Sequence, residues 1–303
     1  MNALSIQNVS KSYKNTTVLT NVTLNIKEGE FYALMGPNGS GKTTLVSIIA
    51  SVTSPTEGTV TVCGRSCAKE LISYVPQDNF SSPLLTGKEN LMYFAQVHGL
   101  KRNEAASLAG TILNKIRLSE VADAQVSTYS GGMRKRLEVG TGLLPGTQVL
   151  LLDEPTTGLD PSARREFLGM IKEMNEQGKT ILLITHIGED AELASRVGFI
   201  NEGVMIADDT PEGLKKKSSL TNVITVETFI KTEKIYNTLK QFSDKEKVLE
   251  TEKGYRIYCE NPEEVLPSVV RSLDSMGCTK TIDVEAPSLE DVFFALTEKV
   301  VSQ

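Results

Sequence analysis

Gly36-Pro37-Asn38-Gly39-Ser40-Gly41-Lys42-Thr43-Thr44 is the stretch on which the fold turns. It fits G-x-x-x-x-G-K-[ST], the phosphate-binding loop, and its surroundings fit what that loop requires. Phe31-Tyr32-Ala33-Leu34-Met35 before it is an apolar run of buried-strand length, and Leu45-Val46-Ser47-Ile48-Ile49-Ala50 after it reads as a helix. Gly36, Gly39 and Gly41 let the backbone curl until successive N–H groups point at one anion. The helix behind them adds the positive end of its dipole. Lys42 is placed to reach the β- and γ-phosphates of a nucleotide, and the Thr43 hydroxyl to bind Mg2+. An accidental glycine-rich turn is the plain alternative. The strand–loop–helix context and the carboxylates further along the chain argue against it.

The 303 residues, 40% of them hydrophobic, can fill a large core and imply more than one domain. A net charge of −6 lacks the basic footprint of a nucleic-acid binder, so no nucleic-acid partner is expected. No run approaches the roughly 18 apolar residues that cross a bilayer. Met1 to Ile6 has neither the basic part nor the long apolar part of a secretory signal. Cys63 and Cys67 stand far in sequence from Cys259 and Cys278. That spacing suits reduced, partly buried thiols in a cytosolic protein better than a disulfide framework or a zinc site.

Working outward, Leu4 to Val9 and Val18 to Ile26 alternate apolar and polar residues, as antiparallel strands with one wet face do. Tyr13 between them is either an aromatic able to stack on adenine or an ordinary strand-end tyrosine. Thr59 to Val62 and Leu71 to Val75 read as further strands. The second ends at Pro76-Gln77, where the glutamine binds Mg2+, orients a water or is simply solvated. From about Asn79 to Leu144 the periodicity is helical. Thr86-Gly87-Lys88-Glu89 is a capping box, Asn103 is the predicted cap of the next helix, and His98 reads as a surface residue. In Tyr129-Ser130-Gly131-Gly132-Met133-Arg134-Lys135-Arg136, Ser130 reads as an N-cap and the glycines admit close approach to the backbone. This is a second anion site at a helix start, in a chain that already has one phosphate loop.

Val149-Leu150-Leu151-Leu152 fits a central parallel strand, and it ends in Asp153-Glu154. Asp153 is placed to hold Mg2+ and Glu154 to polarise an attacking water. Asp160-Pro161 starts a helix that runs through Met174 and stops at Gly178. Thr180 to Thr185 is the next buried strand, and His186 at its end is a candidate γ-phosphate contact. Arg196 to Ile200 and Gly203 to Ile206 close this domain as strands. Thr210-Pro211-Glu212-Gly213 begins a small helix, and Lys215-Lys216-Lys217-Ser218-Ser219 reads as a linker. Beyond it come a strand, a helix, a hairpin around Lys253-Gly254, a helix, a strand and a last helix from Leu289 to Val300. That βαββαβ order predicts a ferredoxin-like α+β module, without a catalytic constellation and suited to regulation, dimerisation or docking. The expected domains are 1–217, with a helical subdomain at about 79–145, and 218–303.

From about Leu4 to Leu214 the chain resembles the ATP-binding subunits of ABC transporters. The motifs stand in that family's order: Tyr13, the Walker A loop, the Q-loop Gln77, the signature Ser130-Gly131-Gly132, Walker B ending Asp153-Glu154, the D-loop Gly158-Leu159-Asp160 and the switch His186. The resemblance implies an α/β fold: a P-loop ABC ATPase core with an antiparallel β subdomain and an α-helical subdomain. It implies that ATP is bound by Tyr13, the nine residues from Gly36 to Thr44, Ser130, Gly131, Gly132 and Asp160. It assigns Mg2+ to Thr43, Gln77 and Asp153, and catalysis to Glu154, His186 and Gln77. It further implies two such domains head to tail, here a homodimer, each signature helix capping the ATP held by the other. The spare anion site thereby acquires a task.

The Tyr-Ser-Gly-Gly-Met-Arg form and the tail Pro287-Ser288-Leu289-Glu290-Asp291-Val292-Phe293 resemble the group that pairs with separately encoded membrane subunits. Drug, antibiotic, sodium and polysaccharide exporters belong to that group. The implied function is an ATPase driving export through a separate permease, cytoplasmic and peripheral at the inner face of the cell membrane. The alternative is a soluble ABC ATPase with a regulatory or nucleic-acid-associated role, although the duplicated domain, coiled coil or zinc insertion usual there is missing. Three positions depart from the family's pattern. Met133 replaces the commoner glutamine, and Gly140 and Gly142 stand where alanines are usual, each costing about 0.8–1 kcal/mol of helix propensity.

Overall fold

The computed structural model describes residues 1–66, 68–218, 220, 222–243, 248–259 and 261–301; Cys67 and Ser219 lie outside them. The chain divides into two compact units, Met1–Thr210 and Pro211–Gln303.

In the first unit, strands β1 (Asn2–Tyr13), β2 (Thr16–Lys27) and β4 (Glu57–Val62) form an antiparallel sheet in the order β2-β1-β4. The central sheet uses β3 (Phe31–Met35), β5 (Ile72–Val75), β6 (Val149–Asp153), β7 (Thr180–Thr185), β8 (Arg196–Asn201) and β9 (Val204–Asp209). Its order is β5-β6-β7-β3-β8-β9, parallel except for β9. Every residue of β3, β6 and β7 is buried, which is why these segments are continuously apolar rather than alternating. Tyr32, Leu34, Val149, Leu151, Leu182 and Ile184 join one core cluster with the inner face of the antiparallel sheet and helix α1 (Lys42–Ile49).

Registry within the sheet determines what meets at its edge. Met35 pairs with Thr185, and Ile184 with Asp153. The residues that follow these strand ends, Gly36, His186 and Glu154, therefore emerge at one level. This is the carboxyl edge of a parallel sheet, where α/β folds place ligands.

Helices α2 (Gly87–Val97), α3 (Arg102–Lys115) and α4 (Gly131–Gly140) lie between β5 and β6 in sequence. The capping box on α2 is present: Glu89 N donates to Thr86 Oγ1 at 3.1 Å, and Thr86 N to Glu89 Oε2 at 2.8 Å. The α3 cap is not where the sequence placed it. The helix starts at Arg102, so Asn103 is already helical, and Lys101 N donates to Glu104 Oε2 at 2.9 Å. A glutamate that bonds back to the entering backbone fixes this start without an asparagine cap. Helix α4 ends at Gly140 and gives way to a 3-10 turn, Thr141–Leu143, so Gly142 is not in the α-helix. Helix α5 (Pro161–Glu176) begins as expected, with Asp160 Oδ1 accepting from Ser162 N and Ala163 N at 3.0 Å each. The four-residue helix α6 (Gly188–Ala191) follows β7.

In the second unit, Lys215 to Lys217 are no linker. They form the last turn of helix α7 (Pro211–Ser218), where cations complement the helix dipole. Then come β10 (Val223–Thr228), α8 (Glu233–Lys240), β11 (Val248–Glu250), β12 (Gly254–Tyr258), α9 (Pro262–Asp274), β13 (Thr279–Glu285) and α10 (Leu289–Val301). The antiparallel sheet runs β11-β12-β10-β13, the strand order of a split βαβ arrangement. One face packs on α8 and α9 through Ile224, Val226, Ile257, Leu239 and Val269. On the other, Tyr258 stacks on Phe294 of α10 at 5.6 Å. Cys259 and Cys278 are both buried in this unit.

Candidate functional site

The loop after β3 curls because its glycines allow it. Gly41 has φ +98°, and a Cβ there would sit 2.9 Å from Val18 O, so a larger residue would meet both strain and a clash. At Gly36 a Cβ would fall 2.1 Å from Ile200 O. Within this curl Lys42 is buried and folds back, its Nζ donating to Gly36 O and Pro37 O at 2.8 Å each. Burial pulls the Lys42 pKa below its usual value, against the opposing charges of Glu154 and Asp153.

Glu154 follows β6 with φ +46°, a left-handed conformation unusual for a side chain of its size. That turn swings the carboxylate across the strand ends. Its Oε1 stands 3.8 Å from Lys42 Nζ and its Oε2 3.2 Å from His186 Nδ1. Asp153, one residue earlier, is buried and accepts from Thr43 Oγ1 at 3.3 Å and from Tyr74 OH at 3.4 Å. Burial raises the Asp153 pKa, opposed by the Thr43 hydroxyl. Burial and the neighbouring Asp153 charge push the Tyr74 phenol up to about 12.

An open cleft of about 350 Å³ lies over this group, lined by Val18, Asn38, Gly39, Lys42, Gln77 and Glu154 among others. The structure thus brings together the loop from Gly36 to Thr44, Gln77, Asp153, Glu154 and His186. It does not bring the others to this cleft. Tyr13 is an exposed residue at the end of β1, with Lys11 Nζ 4.8 Å from its ring centre. Ser130 caps α4, accepting from Met133 N at 3.2 Å, and Gly132 packs within the same chain against Ala163 of α5. Asp160 is occupied in capping α5.

Ser40 Oγ is buried in the loop and has no partner among the described groups. A buried, unpartnered hydroxyl within a phosphate-binding loop fits a phosphate oxygen. Among the described residues there is no cluster of three or more His, Cys, Asp or Glu side chains that could cage a metal. The oxygen donors Thr43 and Asp153 instead suit a hard cation that arrives with phosphates, as Mg2+ does.

Sequence reading missed several supporting residues. Tyr74 touches Asp153 from β5, and Thr157 Oγ1 reaches Glu154 Oε2 at 3.5 Å. Asp190 of α6 is fully buried; it accepts from Arg164 Nε of α5 at 2.7 Å and from the Thr156 hydroxyl. This braces the turn after Glu154 against both helices. No local motif announces these contacts.

Comparison with known proteins agrees with the geometry. Residues 19–157 match the family model described as ABC transporter. The linearmycin resistance ATP-binding protein LnrL of Bacillus subtilis (strain 168) is 37% identical over 218 residues, covering 70% of each chain. The Nod factor export ATP-binding protein I of Burkholderia orbicola (strain AU 1054) is 38% identical over 218 residues, 70% of this chain and 72% of that protein. Among solved structures, the dimeric post-hydrolysis state of the cassette MJ0796 bound to ADP and Pi superposes with a TM-score of 0.63 at 30% identity, over 68% of this chain and 98% of that one. The cbiO1 subunit from Clostridium perfringens, part of the ABC transporter complex cbiONQ, gives 0.65 at 26% identity, over 71% and 91%. A carboxylate set between a phosphate-loop lysine and a histidine, in a chain with these relatives, makes this protein a member of the ABC transporter family, an ATP-binding and ATP-hydrolysing subunit.

Proposed function

We propose that the chain drives export through a separately encoded membrane permease, working as a head-to-tail homodimer peripheral to the cytoplasmic face of the membrane. The observation that carries the reading is the convergence of Lys42, Glu154 and His186 at one sheet edge. Lys42 and the loop amides hold the phosphates of ATP, and Lys42 exchanges its carbonyl partners for phosphate oxygens. Glu154 accepts the proton of a water in line with the γ-phosphorus, and His186 steadies the charge that develops on the phosphoryl oxygens. Thr43 and Gln77, with Asp153 behind them, are the residues that would hold Mg2+, which supplies charge neutralisation at the phosphates.

Ser130, Gly131 and Gly132 lie away from this cleft and present a capped helix start. In a head-to-tail pair that helix start faces the partner's ATP, with its amides and dipole toward the phosphates. Tyr13 is the residue that would stack on the adenine, and Asp160 belongs with the ATP-binding set. Export is supported by the relative named for Nod factor export. A separate permease is supported by the described helices, none of which is long and apolar enough to cross a membrane. The permease docks on α2 and the segment before it, where Leu84, Tyr93 and Val97 are 78%, 58% and 65% exposed.

ATPase rate against protein concentration tests the reading. A rate per subunit that rises with concentration supports the composite site. A flat rate, with no ATP-dependent dimer of the Glu154→Gln chain, overturns the homodimer.

A further inference from the structure

Glu138 lies in the last turn of α4 with its carboxylate wholly buried. A buried carboxylate is costly unless it is matched by donors, so its partners indicate what it holds. Its Oε1 accepts from the amides of Phe80 and Ser81 at 3.0 and 3.1 Å and from Ser81 Oγ at 2.8 Å. Two neighbours on α4 grip the same stretch of chain. Lys135 Nζ donates to Gln77 O at 2.7 Å and Pro76 O at 3.1 Å, and Arg134 donates to Ser81 O at 2.6 Å. The segment from Pro76 to Ser81 belongs to no helix or strand, so its backbone groups have no ladder partners of their own. Charged groups of α4 supply them.

Both ends of this clamp lead somewhere. At one end the clamped segment carries Gln77 into the nucleotide cleft, while Ser130 caps the start of α4. At the other end, Phe80 meets Phe94 edge-on at 5.3 Å, and Phe94 meets the exposed Tyr93 at 5.3 Å. We propose that Glu138 is a positioning residue that makes the Gln77 segment and α4 move as one body. A load on the aromatic face of α2 then reaches Gln77 in this chain's own cleft and Ser130 in the partner's cleft together. The inference rests on the head-to-tail dimer proposed above.

Mixed dimers of the full chain test it. One subunit carries Lys42→Ala, which leaves one competent cleft. Glu138→Gln is then placed either in the subunit that supplies Gln77 to that cleft or in the subunit that supplies Ser130. The clamp requires kcat to fall about tenfold in both placements, the worth of a charge-assisted hydrogen bond, with KM for ATP little changed. A residue that merely stabilises α4 would show the loss only in the second placement. Loss in one placement alone, or in neither, overturns the clamp. Ser81→Ala, which removes one donor to Glu138 and the hydroxyl that accepts from Arg134 Nε while changing no residue of α4, must give the same two-sided loss and serves if the Glu138 variant does not fold. Failure of the dimer itself reads differently: the wild type would then hydrolyse ATP at a rate per subunit independent of concentration.

Discussion

His186 Nδ1 stands 3.2 Å from Glu154 Oε2, each at the end of one of two adjacent parallel strands. The other oxygen of Glu154 faces Lys42 at 3.8 Å. The carboxylate is therefore aimed by its backbone turn and by groups on both sides, and its basicity is the property that chemistry would use. Glu154→Gln keeps the shape and removes the base. Turnover is expected to fall by about 10²–10⁴-fold, while ATP binding persists and an ATP-bound dimer accumulates. Phosphate release and size-exclusion chromatography with ATP check this; wild-type turnover in the variant would sink the assignment.

Lys42 has a different weakness. It is buried, and its ammonium already satisfies two loop carbonyls. Lys42→Ala strips the charge from the cradle and removes the side-chain donor to Gly36 O and Pro37 O, the latter keeping Ser40 N at 3.2 Å. ATP affinity is expected to drop by about 10–100-fold, the worth of one or two charged hydrogen bonds. Calorimetric titration with ATP measures it, and an unchanged affinity would show that the phosphates sit elsewhere.

What the sequence made legible was local. The loop from Gly36 to Thr44 and the pair Asp153-Glu154 are contiguous, and each closes a strand whose unbroken apolar run marks it as central. Their meeting follows once the strands are parallel and in register. The contacts that support them are not contiguous. Ser81 and Glu138 are 57 positions apart, and nothing in either neighbourhood signals the other. Composition misled at Lys215 to Lys217, where three cations read as a solvated connector although the last turn of a helix favours them equally. Asn103 misled for a related reason: a cap propensity was outweighed by Glu104 two positions into the helix proper.

Gly142 shows propensity yielding to packing. A Cβ there would meet Leu150 Cδ1 at 2.9 Å, and Leu150 is fully buried in the central strand β6. Gly142→Ala would gain from propensity alone, yet it must push a core leucine. The variant is expected to be less stable by about 1–3 kcal/mol. Urea denaturation decides the sign, and a stabilised variant would mean that Leu150 has room to move.

Asp291 organises the second unit. It is wholly buried, and its Oδ2 accepts from Ser288 N and Ser288 Oγ at 2.7 Å each, closing the first turn of α10. Its Oδ1 accepts from Tyr258 OH at 2.7 Å and pairs with Arg256 Nε at 3.0 Å, both on β12. One carboxylate thus caps a helix and fastens it to the sheet, which gives the Ser288-Leu289-Glu290-Asp291 tail a physical task. Asp291→Ala removes the buried carboxylate shared by Ser288, Tyr258 and Arg256, leaving Arg256 only Glu285 at 3.4 Å, and is expected to cost about 1.5–3 kcal/mol. Amide exchange in α10 should accelerate sharply; protection equal to wild type would refute the role.

Tyr74 gives a test in the alkaline range. Its pKa is raised from 10.0 to about 12, by burial first and then by the Asp153 charge. Between those two values the unfolded phenol releases its proton and the folded one keeps it, so the unfolded state binds fewer protons. Stability must then fall as pH rises through this window. Two pK units correspond to about 2.7 kcal/mol at most. Tyr74 is partly exposed, so about 1–2 kcal/mol is expected after screening. Tyr74→Phe removes this dependence at the cost of the hydrogen bond to Asp153, about 0.5–1.5 kcal/mol. The wild type should therefore be the more stable chain at roughly pH 8 and lose that advantage towards pH 12. Other tyrosines titrate in both chains and cancel in the difference. Urea midpoints of the two chains across that range report it directly, and curves that stay parallel would show that the Tyr74 phenol ionises as freely in the folded protein as in the unfolded chain.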